Sequence, residues 1–295
     1  MDISNLQAFV SVAETGSFSR ASEQLYITQP AVSKRIAALE SELDTALFDR
    51  IGRQISLTES GQMLLPRARH ILLEIEDSRR ILRNLSGHVG GCLKIGTSHH
   101  IGLHHLPAVL QQFTVRYPAV ELDLHFMKSE EACKAIHHGD LELGVITLPL
   151  KPDADLHMQK LWPDPMAVVV GETHPLYTCA LIETEHLLTY PAILPERGTY
   201  TRELIERSMT GGASENMPEI KVRMATHYLE SIKMLVSVGL GWSVLPRTML
   251  SDELRVLGIA GLNIQRELGV VWHARRSLSN AAKKMIAALG LNNAS

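Results

Sequence analysis

Apolar positions recur at helical spacing through residues 1–90, then give way to short apolar runs alternating with helical patterns. Leu6, Phe9, Val10 and Ala13 mark one face of an amphipathic helix. Gly16 ends it, and Ser17 is placed to cap a second short helix carrying Ala21 and Leu25. Thr28 is placed to cap a third, with Pro30 in the first turn, where a missing N–H costs little. Ala31, Val32, Ile36, Leu39 and Leu43 give that helix its buried face. Residues 47–50 and 55–57 then flank Ile51-Gly52-Arg53-Gln54, the pattern of a small β-hairpin, or wing.

A long helix is predicted from Thr58 to about Leu85. Leu64, Ala68, Ile71, Ile75, Ser78, Leu82 and Leu85 form an a/d seam along it, which predicts pairing with a copy of itself. Pro66, early in the run, predicts a kink or a displaced start. Ser86-Gly87-His88-Val89-Gly90-Gly91 ends the helix and permits a hinge.

Beyond the hinge, strands are predicted at 93–96, 121–126 and 143–146, with helices at 106–117 and 130–138 between them. This β-α-β order predicts a mostly parallel sheet. A second group follows, with strands at 166–171, 192–194, 221–225 and 243–245 and helices at 201–209 and 228–238. A strand at 268–273 and a helix at 280–289 are expected to return to the first group. The pattern gives an α/β class without by itself proving two lobes.

Charge first argues against a nucleic-acid partner. The 295 residues carry 29 basic and 32 acidic side chains, a formal charge of −3. Residues 1–58 hold five basic residues (Arg20, Lys34, Arg35, Arg50, Arg53) against seven acidic ones. Placement changes the picture: between Gln24 and Leu39 the charges are Lys34 and Arg35 alone, while Glu40, Glu42 and Asp44 cluster later. One isolated winged unit is therefore expected to bind DNA weakly, with useful affinity requiring paired units. Three dispersed cysteines (Cys92, Cys133, Cys179), no apolar stretch long enough for a membrane span and a poor secretory signal at the N-terminus predict a cytoplasmic protein.

The third helix carries the DNA-reading chemistry. Its N-terminal turns present Thr28, Gln29, Pro30, Ser33, Lys34 and Arg35, polar or small groups suited to close approach to base edges. Gln pairs bidentately with adenine, and Lys donates to guanine or phosphate. Thr28 at the helix start is placed to donate to a phosphate. Arg50 and Arg53, beside and in the wing, are placed for phosphates or the minor groove.

The run AFVSVAETGSFSRASEQLYITQPAVSKRIAALESELDTALFDRIGRQISLTESG resembles the winged helix–turn–helix of LysR-type transcriptional regulators. The match is close over about the first 65 residues and continues in architecture to the end of the chain. The resemblance implies a multidomain α+β and α/β protein: a winged helix–turn–helix over 1–58, a linker dimerisation helix over 59–87, and an effector-binding domain over 88–295. The last resembles periplasmic binding proteins, with one lobe at about 91–163 and 266–295 and the other at about 164–265. It implies a homodimer or homotetramer on double-stranded promoter DNA with an interrupted dyad, a small-molecule effector, RNA polymerase as a further partner, and no membrane association. Symmetric half-sites follow from a two-fold protein.

In open α/β sheets, ligands gather beyond the carboxyl ends of strands. Thr97-Ser98-His99-His100-Ile101, Thr147-Leu148-Pro149 and Gly198-Thr199-Tyr200-Thr201-Arg202 qualify, with His227 in Thr226-His227-Tyr228 completing the cleft. Their hydroxyls and free N–H groups favour an anion, commonly a carboxylate. His100 departs from the family, which often has Ser or Thr there; a histidine donates to an anion, adds pH sensitivity or binds metal. His99, His100, His104 and His105 lie close in sequence, with His100 and His104 four apart. The alternative function is a small-molecule or metal sensor built on this segment. No spacing matches a defined zinc motif, so no metal or cofactor is expected. No GxSxG, P-loop or dinucleotide fingerprint supports an enzyme. Glu130-Glu131 reads as a solvated helix start, and Trp242 as core.

Overall fold

A computed structural model describes residues 1–51, 54–179, 182–209 and 220–291. The chain divides into two compact units, Met1–Ser86 and Gly87–Ser295.

The first unit begins with α1 (Ile3–Thr15), where the Asp2 carboxylate accepts the Ser4 N–H at 2.8 Å. Gly16, at φ 61, ends it in the left-handed region that glycine adopts without strain. Ser17 caps α2 (Phe18–Gln24) by accepting the Arg20 N–H. Thr28 holds the N-cap position of α3 (Gln29–Leu43), but its hydroxyl makes no cap hydrogen bond, so the expected cap is formed by backbone alone. Phe9, Phe18 and Phe48 meet in the core, with centroids 5.5 Å apart for Phe9–Phe48 and 6.0 Å for Phe18–Phe48. β1 (Phe48–Ile51) and β2 (Gln54–Leu57) pair antiparallel as the wing.

Thr58 caps α4 (Glu59–Asn84), accepting the Gly61 N–H at 3.0 Å. A Cβ at Gly61 would lie 2.2 Å from the Leu47 carbonyl oxygen, so only glycine lets α4 approach the wing this closely. The helix starts where the sequence places it and continues through Pro66. The predicted seam divides in two. Ala68 is fully buried, and Leu64 and Ile71 pack on the unit's own core. Ile81, Leu82 and Leu85 are 46%, 67% and 79% exposed, an apolar end open to solvent. Arg69 anchors the buried half, its Nε and Nη2 donating to Glu14 on α1 at 3.0 and 2.8 Å.

The second unit runs β3 (Gly91–Thr97), α5 (His99–His104), α6 (Pro107–Arg116), β4 (Val120–Phe126), α7 (Ser129–His138), β5 (Leu143–Thr147) and then β6 (Leu156–Gly171). It continues with α8 (Thr184–Leu188), β7 (Ala192–Leu194), α9 (Tyr200–Met209), β8 (Val222–Ala225), α10 (Leu229–Ser237), β9 (Ser243–Pro246), β10 (Leu254–Val256), β11 (Ile264–His273) and α11 (Asn280–Leu291). In the first lobe β3 lies between β4 and β5, parallel to both, and β11 and β6 extend the sheet antiparallel. In the second, β6 pairs with β9 and β10, and β7 with β8. The mostly parallel expectation therefore holds for β3, β4 and β5, while the crossing strands make the sheet mixed.

Two strands are longer than the sequence pattern gives. β6 starts at Leu156 rather than Met166, because Pro163 and Pro165 do not break it. Between Pro163 and Pro165 the strand pairs with β11 alone, so a proline there forfeits no second ladder. β11 starts at Ile264 rather than Leu268 and so includes Arg266. Both strands run through both lobes. Alternate side chains of β6 serve opposite faces: Val168 and Val170 join one core cluster, Ala167 and Val169 another. The first lobe is likewise covered on both sides. No described helix is long and apolar enough to cross a membrane.

Candidate functional sites

A cavity of about 80 Å³ lies between the two lobes of the second unit. Ser98, at the N-cap of α5, accepts the Ile101 N–H and lines it. His99 stacks on Phe126 at 5.0 Å between centroids and meets the edge of Tyr228 at 5.2 Å. Thr147, at the end of β5, lines the wall, its N–H donating to Ser129 Oγ at 3.2 Å. From the second lobe come Thr199, Thr201 and His227.

Seven of the ten residues expected to bind an effector line this cavity: Ser98, His99, His100, Thr147, Thr199, Thr201 and His227. Thr97, Ile101 and Gly198 do not. The Thr97 hydroxyl donates to the Val145 carbonyl at 2.8 Å inside the sheet, and Ile101 is fully buried in the first lobe's core. Gly198 turns the chain into α9 at φ 84.

The floor is a buried polar cluster that sequence reading missed. Arg266 on β11 stands directly opposite Asp164 on β6. Its Nε donates to Asp164 Oδ2 at 2.5 Å, and its Nη1 to Thr201 Oγ1 at 3.2 Å. His100 Nε2 lies 3.9 Å from Asp164 Oδ2, too far for a hydrogen bond. Arg266 Nη2, Asp164 Oδ1, His105 Nε2 and both ring nitrogens of His100 are buried without a partner. Burial, reinforced by the Arg266 guanidinium, pushes His100 down to about 2, so its imidazole is neutral at physiological pH. Burial also lowers His105.

A signal for this pair exists in the sequence. Arg266 sits on the inward face of β11, between buried Ile264 and Leu268, where alternation calls for an apolar residue. Asp164 sits inward between exposed Pro163 and Pro165. The apolar runs that mark the two strands begin only at Met166 and Leu268, beyond both residues.

Polar contacts tie the lobes together at the rim. Lys128 Nζ lies 2.5 Å from Glu196 Oε2, which holds the Glu196 carboxyl below its usual range. Glu130 accepts the Tyr200 N–H, and burial holds its carboxyl above the usual range. Glu130 is thus half-buried at the cleft, whereas Glu131 alone is the solvated helix start expected of the pair. Trp242 is fully buried, as expected, with Nε1 donating to the Tyr190 carbonyl.

The second candidate site is the N-terminal half of α3. Thr28, Gln29, Pro30 and Lys34 are exposed, Ser33 and Arg35 half-buried. Val32, Ile36 and Leu39 anchor the opposite face. Tyr26, unremarked in the sequence, is 95% exposed in the turn before α3. The backbone of Arg50 pairs with Ile55 across the wing; Arg53 lies outside the described residues.

Comparison with known proteins gives concordant matches. Residues 3–62 match the family model described as "Bacterial regulatory helix-turn-helix protein, lysR family", and residues 86–292 match "LysR substrate binding domain". The chain is 33% identical over 289 residues to the HTH-type transcriptional regulator CbbR of Rhodospirillum rubrum, covering 96% of this chain and 94% of that one. It is 28% identical over 285 residues to the HTH-type transcriptional activator CmpR of Synechocystis, covering 95% and 92%. Among solved structures, a full-length OxyR variant from Pseudomonas aeruginosa superposes with a TM-score of 0.70 at 24% identity, over 99% of this chain and 94% of that one. CbnR complexed with its target DNA gives 0.64 at 19% identity over the whole of both chains.

Proposed function

This chain belongs to the LysR family of bacterial transcriptional regulators, and on that premise we propose that it is switched by a small anion held between its lobes. The observation that carries this reading is Arg266 Nη2, a cationic donor buried at the cavity with no hydrogen-bond partner. Leaving such a donor unsatisfied costs free energy that a bound carboxylate or oxyanion recovers. Ser98 and Thr147 add hydroxyls to the same cavity. A ligand shifts the switch only so far as it prefers one lobe arrangement over the other.

In this reading Thr28, Gln29, Pro30, Ser33, Lys34 and Arg35 face the major groove. Arg50 and Arg53 serve the wing, and the exposed end of α4 pairs two chains on an interrupted dyad of promoter DNA. The chains assemble as a homodimer or homotetramer, and RNA polymerase is the downstream partner. Calorimetric titration of the full chain with formate, acetate, sulfate and phosphate tests the effector assignment. One of these binds once per chain, weaker by tenfold or more in Ser98→Ala and Arg266→Gln. Absence of binding by all four, or unchanged affinity in Arg266→Gln, overturns it.

A further inference from the structure

Sequence spacing predicts no metal site, because one ligand of the site lies far away along the chain. Asp164 on β6 meets His100 on α5 and His105 just after it. One donor atom from each lies within 4.8 Å of the others. We propose that His100, His105 and Asp164 bind a divalent transition-metal ion of the zinc class at the floor of the lobes.

Four observations carry this. First, the donors are free: Asp164 Oδ1, His105 Nε2 and both ring nitrogens of His100 are buried and make no hydrogen bond. His100 and Asp164 are 2% and 1% exposed, so water does not reach them as it reaches surface side chains. Second, the donor set is two imidazoles and one carboxylate, which suits zinc-class ions. Ligands sharing such an ion stand about 2.0–2.2 Å from it, so adjustments of about 1 Å bring the three together. Third, supporting contacts orient the ligands. Arg266 Nε takes Asp164 Oδ2 at 2.5 Å and leaves Oδ1 without a hydrogen-bond partner. His105 stacks on Trp162, with centroids 5.1 Å apart and planes 26° from parallel. Such outer contacts fix ligand geometry and raise affinity. Fourth, Glu230, with a buried unpartnered Oε1, groups with His100 and His104 within the same 4.8 Å limit, a carboxylate that counters the Arg266 guanidinium beside Asp164. Three protein donors leave a fourth position for water, the arrangement of an open site.

The test uses the full chain, free of any histidine tag and stripped with chelator, titrated with Zn²⁺ against a chromophoric chelator in chloride buffer. One ion binds per chain. His105→Gln and Asp164→Asn each weaken it by tenfold or more, while His138→Gln, at a histidine away from the cluster, leaves it unchanged. Far-ultraviolet circular dichroism and metal-free DNA binding confirm that the variants fold, and His105→Gln, at a half-exposed position, provides the test should Asp164→Asn unfold. Co²⁺ in place of Zn²⁺ gives visible absorption bands of a low-coordinate site, absent in His105→Gln. No stoichiometric binding overturns the proposal. So does affinity unchanged in both variants, or a loss confined to His104→Gln and Glu230→Gln. Because no carboxylate or oxyanion effector is present, the outcome is independent of the anion reading.

Discussion

Arg266 and Asp164 face each other across β11 and β6, with Nε 2.5 Å from Oδ2, and both are almost fully withdrawn from solvent. The two strands that carry them are the only ones described that run through both lobes, so this ion pair sits where the lobes join. A buried pair of this kind is weak in net stability but costly to break. Asp164→Ala is expected to destabilise the chain by about 3–5 kcal/mol, since it strands the guanidinium. Asp164→Leu combined with Arg266→Met is expected to recover most of that. Urea unfolding of the single and double variants measures both, and a double variant as unstable as Asp164→Ala alone would contradict the argument.

Gly61 is set against the Leu47 carbonyl, where a methyl group would lie 2.2 Å from oxygen. Backbone on both sides prevents relief by side-chain rotation. Gly61→Ala is therefore expected to cost about 1–3 kcal/mol in the DNA-binding unit and to lower its melting temperature. Gly258→Ala, with nothing within 4 Å, is the control and should leave the melting temperature within error of wild type.

The order of elements was largely legible from periodicity and caps. The Asp2 cap carries no signal in the apolar pattern, whereas Gly16, Ser17 and Thr58 punctuate the first unit where that pattern places them. The site was legible only in part. Ser98 and His100 lie just past the end of a strand and Thr147 at the end of one, where sequence pattern points to ligands; Arg266 and Asp164 lie inside strands, where it does not. Prolines flanking Asp164 look like breakers until the missing second neighbour of β6 is known, and that is a fact of sheet topology rather than of local sequence. The a/d seam of α4 carried a similar ambiguity: nothing in its spacing tells that Ala68 serves its own core while Leu82 and Leu85 face outward.

That exposed end of α4 makes a prediction about assembly. Leu82→Lys with Leu85→Lys places like charges on the surface proposed to pair two chains. Sedimentation equilibrium should show the mass falling to a monomer, with secondary structure unchanged. DNA affinity should fall with it by two orders of magnitude or more, as paired reading is lost. A variant that stays oligomeric would move the pairing surface elsewhere.

Glu130 gives a pH dependence of defined sign. Burial raises its folded pKa above the ordinary value of 4.5, against the pull of the Tyr200 N–H and Lys128, with Glu131 adding repulsion. A carboxyl whose folded pKa is raised contributes stability below its unfolded pKa, and that contribution is lost as pH rises through the folded pKa. The wild type should therefore lose stability as pH rises from about 4.5 through the raised value, and Glu130→Gln, which keeps an acceptor for Tyr200, should lose less. Urea midpoints across that window read the difference, and parallel curves would refute it.

The central claim is that α3 reads an interrupted dyad and that an anion between the lobes resets how the paired units lie on it. Footprinting of the full chain on the promoter regions flanking its own gene, with and without the anion found by titration, tests this directly. The account predicts a protected dyad whose extent changes with the anion, with protection weakened roughly tenfold in Lys34→Ala. No protected dyad, or one indifferent to both the anion and Lys34, would contradict it.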